Sequence, residues 1–385
     1  MNVWRPHTYR RAGEQRGIDE TLLGNAIAVG QAIVAVNRTL PPLFSLRHLA
    51  YLADVDYGFL RAVVSRELSD PYKVFRIGKR STPDGTKRFR IICVPDPELI
   101  RVQRWITTRI LSQGSAHPAS TAYSRGSSIC EAAERHCSCK WMIKFDIVNF
   151  FESISEIGVY HAFRSFGYQP LVAFEMSRIC TRLGTPTPSR LRKRWQSNAG
   201  AYAAIPAYRF SRMGHLPQGA PTSPMLANFA VYDFDKKMQR IAENQGLIYT
   251  RYADDLTIST SPRRFNRARI GSLISDVYSA MGEAGFSPNK AKIRVVPPGA
   301  RKIVLGLLVD LDKPRLPRKF KASLRQHLYY IAHPDVGPAK HAARRGFVSV
   351  LGFRHHIEGL IAFARQIEPA FGAQCAQELV GVWPL

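Results

Sequence analysis

The 385-residue sequence is short of acids, with 29 Asp and Glu against 55 Lys and Arg and a formal charge of +26. Such an excess argues against a small neutral substrate and for a polyanionic partner. Long apolar runs are also missing. The most apolar early segment, Asn25 to Val36, stops between Gly24 and Arg38, well short of the roughly 20 residues of a membrane span, and reads as a packed helix. The charged start, Met1 to Arg11, has no apolar segment behind it and does not read as a secretory signal. Six cysteines, at 93, 130, 137, 139, 180 and 375, show no CxxC spacing, so they read as reduced thiols of a cytoplasmic protein. His136-Cys137-Ser138-Cys139 holds good zinc ligands, but it is a single short cluster leading straight into an apolar strand, which argues against zinc. There is no internal repeat.

What the chain does have is Tyr252-Ala253-Asp254-Asp255 between two short alternating apolar runs, Ile248 to Tyr252 and Leu256 to Ile258. This pattern predicts a β-hairpin with adjacent carboxylates at its tip. Paired acids at a tight turn repel and seek a counter-charge, and in a site handling phosphates a divalent cation supplies it. A solvated turn would also accept Asp, so the other segments decide. Lys140 to Asp146 is an apolar run ending in a third acid and followed by Phe150-Phe151. Two-metal phosphoryl transfer needs carboxylates that bridge ions about 4 Å apart, with Asp146 and Asp254 as the bridging pair. Leu216-Pro-Gln-Gly-Ala-Pro-Thr-Ser223-Pro224 is turn-rich, with Ser223 a good N-cap and Pro224 suited to the first helical position. Leu226, Ala230, Phe234, Met238 and Ile241 follow at helical spacing.

In this order, with Asn289 to Lys292 and Leu305-Gly306 downstream, the segments resemble the reverse transcriptases, most closely those of the bacterial retrons, from about Tyr72 to Phe371. The resemblance implies an α+β right-hand polymerase fold with fingers, a palm built on an antiparallel sheet and a helical thumb. Asp146, the neighbouring Ile147 backbone, Asp254 and Asp255 would form the metal site for two Mg²⁺ ions, with Mn²⁺ able to substitute. Phe151 would stand against the sugar of the incoming nucleotide and reject a 2′-hydroxyl, a reading its spacing favours over plain core packing beside Phe150. Gln218 and Gly219 would face the nascent base pair, the glycine allowing close backbone approach. Lys292 would sit near the departing pyrophosphate, or else be one more exposed lysine.

Lys79 to Pro95 reads as a hairpin turning at Asp84-Gly85, similar to the family's fingers hairpin. Lys87, Arg88 and Arg90 are its candidates to clamp a triphosphate, and alternation does not choose between the two arginines. Residues 1–65 read as an N-terminal helical extension and 66–312 as interleaved fingers and palm. From 313 to 385 the chain reads as thumb, entered through Lys313-Pro-Arg-Leu-Pro317. Residues 313–365 carry eleven Lys or Arg and two acids, as a duplex-gripping surface needs. Lys319, Lys321, Arg344 and Arg345 are its RNA-binding candidates. An insertion at 181–215 adds Arg190, Arg192, Lys193 and Arg194 beside Trp195, which could hold RNA by phosphate contacts and stacking, or could be a loop without a partner.

Retron enzymes carry Asn-Ala-x-x-His before the first catalytic strand. Here the positions read Ala132-Ala133-Glu134-Arg135-His136, with His136 kept as an RNA-binding candidate and the asparagine absent. They also carry Val-Thr-Gly where this chain has Val304-Leu305-Gly306, a form nearer that of group II intron enzymes. The retron resemblance implies a structured non-coding RNA as template and primer, priming from its 2′-hydroxyl, deoxynucleotides as substrates, a DNA product and a role against phage, with an effector or toxin as a further partner. The alternatives are another defence- or intron-related reverse transcriptase, or a non-catalytic RNA-binding protein with a polymerase fold. Phe151 argues against an RNA-templated RNA polymerase.

Overall fold

The computed structural model describes residues 4–68, 70–79, 88–124, 126–184, 205, 208, 212–260 and 265–383, the side chains of Lys79 and Arg88 excepted. The α+β class expected from the sequence is what the chain adopts. Helices Pro6–Glu14, Glu20–Val36, Leu46–Ala53 and Tyr57–Val64 come first. Three of them start under a side-chain cap: Asp19, Ser45 and Asp56 accept the N–H of Leu22, His48 and Phe59. Strands β1 (Tyr72–Lys79) and β2 (Arg88–Pro95) then form an antiparallel ribbon. Asp84, Gly85 and Lys87 lie outside the described residues.

The central sheet has the order β4-β5-β3-β6, built from β3 (Trp141–Asp146), β4 (Ile248–Tyr252), β5 (Asp255–Thr260) and β6 (Arg294–Val296), all antiparallel. The helical run expected after Pro224 is broken at Val231, giving Ser223–Ala230 and Tyr232–Glu243. The first of these already includes Ser223 and has no side-chain cap. Beyond the sheet, β7 (Ile303–Val304) and β8 (Leu307–Leu308) make a minimal hairpin. Its two turn residues, Leu305 and Gly306, both have positive φ, as a tight turn of this twist requires. Helices Arg318–Ala332, Gly337–Arg344, Val350–Ile367 and Pro369–Val382 complete the chain. Among the described residues no helix is long and apolar enough to cross a membrane.

Alternation along β3 joins two apolar cores. Ile143 and Phe145 enter the main core, which runs from Ile33 to Phe286. Met142, on the opposite face, enters a second core with Val304, Leu324, Phe353 and Ile361 of the C-terminal helices. Asp146 shares the face of Met142, so the carboxylate emerges where the two cores meet.

Each face of the sheet is locked by a buried polar group. On the Met142 face, His136 bridges β5 and β4, with Nδ1 at 2.6 Å from Ser259 Oγ and Nε2 at 2.7 Å from Thr250 Oγ1. It is fully buried. This corrects the expectation that His136 meets RNA, since the imidazole has no surface to offer. On the other face lies Arg251, with no exposed side-chain surface, paired to Asp235 at 2.6 Å. Its Nε also donates to Asp235 Oδ1 at 2.8 Å, and Tyr249 donates to the same oxygen at 2.8 Å. Further donations reach Ser120 Oγ at 3.1 Å, Asn228 Oδ1 at 3.2 Å and the Ala253 carbonyl at 3.1 Å. A strand, a helix and the loop before β3 are thereby tied to one guanidinium.

Two stability predictions follow from these locks. Arg251→Met leaves the Asp235 carboxylate buried and unpaired, which costs about 3–5 kcal/mol. Urea denaturation should show that loss, with most of it recovered in Arg251→Met/Asp235→Leu; a single variant as stable as the parent would contradict the assignment. Burial first, with Arg135 and Lys144 adding to it, pushes the His136 pKa down to about 4. Burial, with Arg345 and His341, does the same to His327, whose Nδ1 lies 3.0 Å from His341 Nε2. Because the folded pKa is depressed, the unfolded chain takes protons first as pH falls below about 6.5. Lowering pH from 7 to 4.5 should therefore remove about 2–3 kcal/mol for each such histidine. A urea midpoint unchanged across that interval would be the contrary result.

Candidate active site

The register of β3 against β5 sets Asp146 directly opposite Asp255. Asp254 completes the group in the turn between β4 and β5, where Ala253 takes φ 55°. That turn is held from two sides. Arg251 grips the Ala253 carbonyl from below, and the Ile147 N–H donates to the Asp254 carbonyl at 3.1 Å. Ile147 buries its side chain in the main core, so only its backbone faces the acids.

Asp146 is 6 % exposed and has two partners of its own. Asn289 Nδ2 donates to Oδ1 at 2.8 Å, and Lys292 Nζ stands 2.5 Å from Oδ2. The Asn289 N–H also donates to the Asp146 carbonyl at 2.8 Å, so both ends of the Asn289 to Lys292 segment serve this acid. Asp254 and Asp255 have pKa values raised above the ordinary carboxylate range. Burial is the main cause for both; Asp255 and Asp146 add repulsion at Asp254, and Asp146 adds it at Asp255, against opposing help from Lys144 and Lys292. The site thus holds excess negative charge that it only partly neutralises.

Among the described residues no three His, Cys, Asp or Glu side chains close round an ion by themselves. Mg²⁺ takes one or two carboxylates with substrate phosphates and water filling an octahedron, and Asp146, Asp254 and Asp255 offer oxygen donors of that kind. The residues therefore fit a hard divalent ion that arrives with its nucleotide, and Lys292 marks where positive charge is already accepted.

The remaining candidates fall into three groups. Phe151 and Arg90 both neighbour Tyr123, which also feels the charge of Asp254, while Gln218 and Gly219 dock on β2. Phe151 is the second residue of a short helical turn, Phe150–Ser153, with its ring 5.4 Å from that of Phe150 and half-buried. Gln218 accepts the Cys93 N–H at 2.7 Å through its carbonyl, which docks the turn on β2. Gly219 has φ 114°, and a Cβ there would sit 2.9 Å from Ile92 Cγ2, so the approach requires glycine. Arg90 lies exposed on β2, close enough for its charge to act on Tyr123.

On the C-terminal helices, Lys319, Arg344 and Arg345 are exposed. Lys321 instead pairs with Glu368, which also caps the Leu316 N–H at 2.8 Å, so its charge is spent inside the helical unit. An RNA contact at Lys321, expected from the sequence, would have to compete with Glu368. Arg190, Arg192, Lys193 and Arg194 lie outside the described residues, as do Lys87 and the side chain of Arg88. Sequence reasoning missed Arg251, Asp235 and Tyr123. An arginine in an apolar strand, out of phase with its polar positions, was the available signal for the first.

Comparison with known proteins agrees with this geometry. The family profile described as reverse transcriptase (RNA-dependent DNA polymerase) matches residues 77–309. The chain is 27% identical over 340 residues to the retron Ec86 reverse transcriptase of Escherichia coli, covering 87% of this chain and 93% of that one. It is 30% identical over 313 residues to the retron Mx162 reverse transcriptase of Myxococcus xanthus, covering 78% and 59%. A solved telomerase of Candida albicans, in complex with a fragment of telomeric RNA, superposes with a TM-score of 0.42 at 12% identity over 81% of this chain and 56% of that one. With the profile spanning more than half of its length and the retron enzymes similar along most of it, the chain belongs to the reverse transcriptase (RNA-dependent DNA polymerase) family.

Proposed function

We propose that this chain is a retron-type reverse transcriptase that copies part of a bound, structured RNA into DNA from deoxynucleotides, at a site holding two Mg²⁺ ions. The observation that supports it most is the β3/β5 register, which brings Asp146 and Asp255 opposite one another with Asp254 at the adjoining turn. Asp146, Asp254 and the Ile147 carbonyl would hold the ions, with Asp255 completing the acidic edge. When bound, the ions activate the attacking hydroxyl and stabilise the leaving oxygen.

The protein's own groups do the rest. Asn289 orients Asp146 through its Nδ2, and Lys292, now beside Asp146 Oδ2, supplies a cation for the phosphates. Arg90, with Lys87 and Arg88 of the same hairpin, would hold the triphosphate. The Gln218-Gly219 turn would sit under the nascent base pair, and Phe151 would close the sugar side against a 2′-hydroxyl. Lys319, Arg344 and Arg345, with the basic run Arg190 to Arg194, would track the RNA backbone. A role against phage, together with an effector protein, belongs to the same reading, which supposes a cytoplasmic enzyme.

A second reading, another defence- or intron-related enzyme with a different template, is favoured by one feature, the Leu305-Gly306 turn in place of Thr-Gly. Deep sequencing of nucleic acid bound to the purified protein separates the two. One short DNA attached to one RNA supports the retron reading, whereas heterogeneous DNA supports the other.

Asp254→Asn should lower DNA synthesis by about a thousandfold or more, equivalent to some 4 kcal/mol of transition-state stabilisation. Because it also removes a crowded charge, the variant should melt no lower than the parent. Primer extension and a thermal melt check both, and substantial activity would sink the metal assignment. Phe151→Ala should lower the preference for deoxynucleotides by about tenfold or more, the scale set by one shape contact. An unchanged preference in single-nucleotide incorporation would return Phe151 to core packing.

A further inference from the structure

Tyr123 has no part in the account above, yet it stands at the centre of the site. Its ring lies 6.2 Å from that of Phe151 and 6.3 Å from that of Tyr252, the residue leading into the catalytic turn. Its backbone is left-handed, with φ 62°. For a bulky aromatic residue that conformation costs about 1–2 kcal/mol and persists only where the surroundings impose it.

The surroundings here do impose it. The Arg251 N–H donates to the Ala119 carbonyl and the Thr121 N–H to the Arg251 carbonyl, both at 2.8 Å. Asn228 Nδ2 holds the Ala122 carbonyl at 2.7 Å. The segment before Tyr123 is thus laid along β4, and the ring is delivered to a fixed place beside the acids. Its phenol is kept protonated, chiefly by burial and then by the charges of Asp254 and Tyr252.

Phe151 packs against the main core and meets the ring of Phe150, which is itself fixed by Phe286 at 5.9 Å and by the Arg251 guanidinium at 5.5 Å. On the other side the neighbour is Tyr123. Beyond Tyr123 opens a cleft of about 360 Å³ lined by Ser124, Met225, Asn228 and Phe229. Removing the Tyr123 ring joins that space to the Phe151 ring and gives it room to turn.

We propose that Tyr123 is a positioning residue for sugar discrimination: it acts as the stop against which Phe151 is held, and it works through its ring rather than its hydroxyl. The inference rests on the reading of Phe151 as the group that excludes a 2′-hydroxyl. The test is single-nucleotide incorporation with matched deoxy- and ribonucleotides, measuring kcat/KM for each in the parent, Tyr123→Phe, Tyr123→Gly, Tyr123→Asn, Phe151→Ala and Tyr123→Gly/Phe151→Ala. Gly and Asn both accept the left-handed backbone, so ring loss is examined without added strain and in two separate variants.

Tyr123→Phe should keep the parent's discrimination ratio. Tyr123→Gly and Tyr123→Asn should lower it by about tenfold, through a higher ribonucleotide kcat/KM and not only a lower deoxynucleotide one. The double variant should discriminate no worse than Phe151→Ala alone. Discrimination retained in both ring-deleted variants while Phe151→Ala loses it would overturn the role of Tyr123 and leave Phe151 standing. Discrimination retained in Phe151→Ala itself would overturn the reading of Phe151 and this inference with it.

Discussion

Three carboxylates at one edge of a sheet repel, and much of the surrounding structure exists to keep them there. The β3/β5 register sets Asp146 directly opposite Asp255. A slip of one residue would turn every side chain of β3 to the other face, so the cores on both sides enforce the arrangement. Ile143 and Phe145 demand one face and Met142 the other. Burial raises the pKa values of Asp254 and Asp255, and the repulsion adds to it. Cations relieve the repulsion in part, Lys292 directly on Asp146 and Lys144 on Asp255. A site preloaded with uncompensated charge is suited to draw in a divalent ion and the phosphates that travel with it.

The position of the acids at the seam of two cores has a mechanical consequence. The C-terminal helices share a core with the sheet through Met142, and the β1–β2 ribbon meets the site through the Gln218-Gly219 turn on Cys93. A nucleic acid lying across the acids would therefore touch both. The histidine on one face of the sheet and the arginine on the other tie β4 and β5 to each other and to their neighbours.

Much of this was legible in the sequence. The Tyr252 to Asp255 hairpin, the strand ending at Asp146 and the Gly219 turn each follow from local rules of alternation and backbone freedom, and each formed as expected. The failures lie where tertiary context decides. His136 reads as a surface residue near RNA, but its hydroxyl partners sit 114 and 123 residues away, a pairing no local pattern reveals. Lys321 looks like one of many thumb cations until Glu368 folds back onto it. The break at Val231 interrupts a helical spacing that runs on smoothly past it. Tyr123 carries no signal in sequence, because its importance comes from a backbone conformation and from two rings that fold alongside it.

The central claim is that the acidic edge performs RNA-directed DNA synthesis with a divalent ion. It is tested most directly by extending a DNA primer annealed to an RNA template, with deoxynucleotides, across a titration of Mg²⁺ and then of chelator. The account requires template-coded DNA that appears with Mg²⁺, vanishes with chelator and is far weaker with ribonucleotides. Absence of RNA-templated extension at any Mg²⁺ concentration by a folded, RNA-bound protein, or equal use of ribonucleotides, would contradict it.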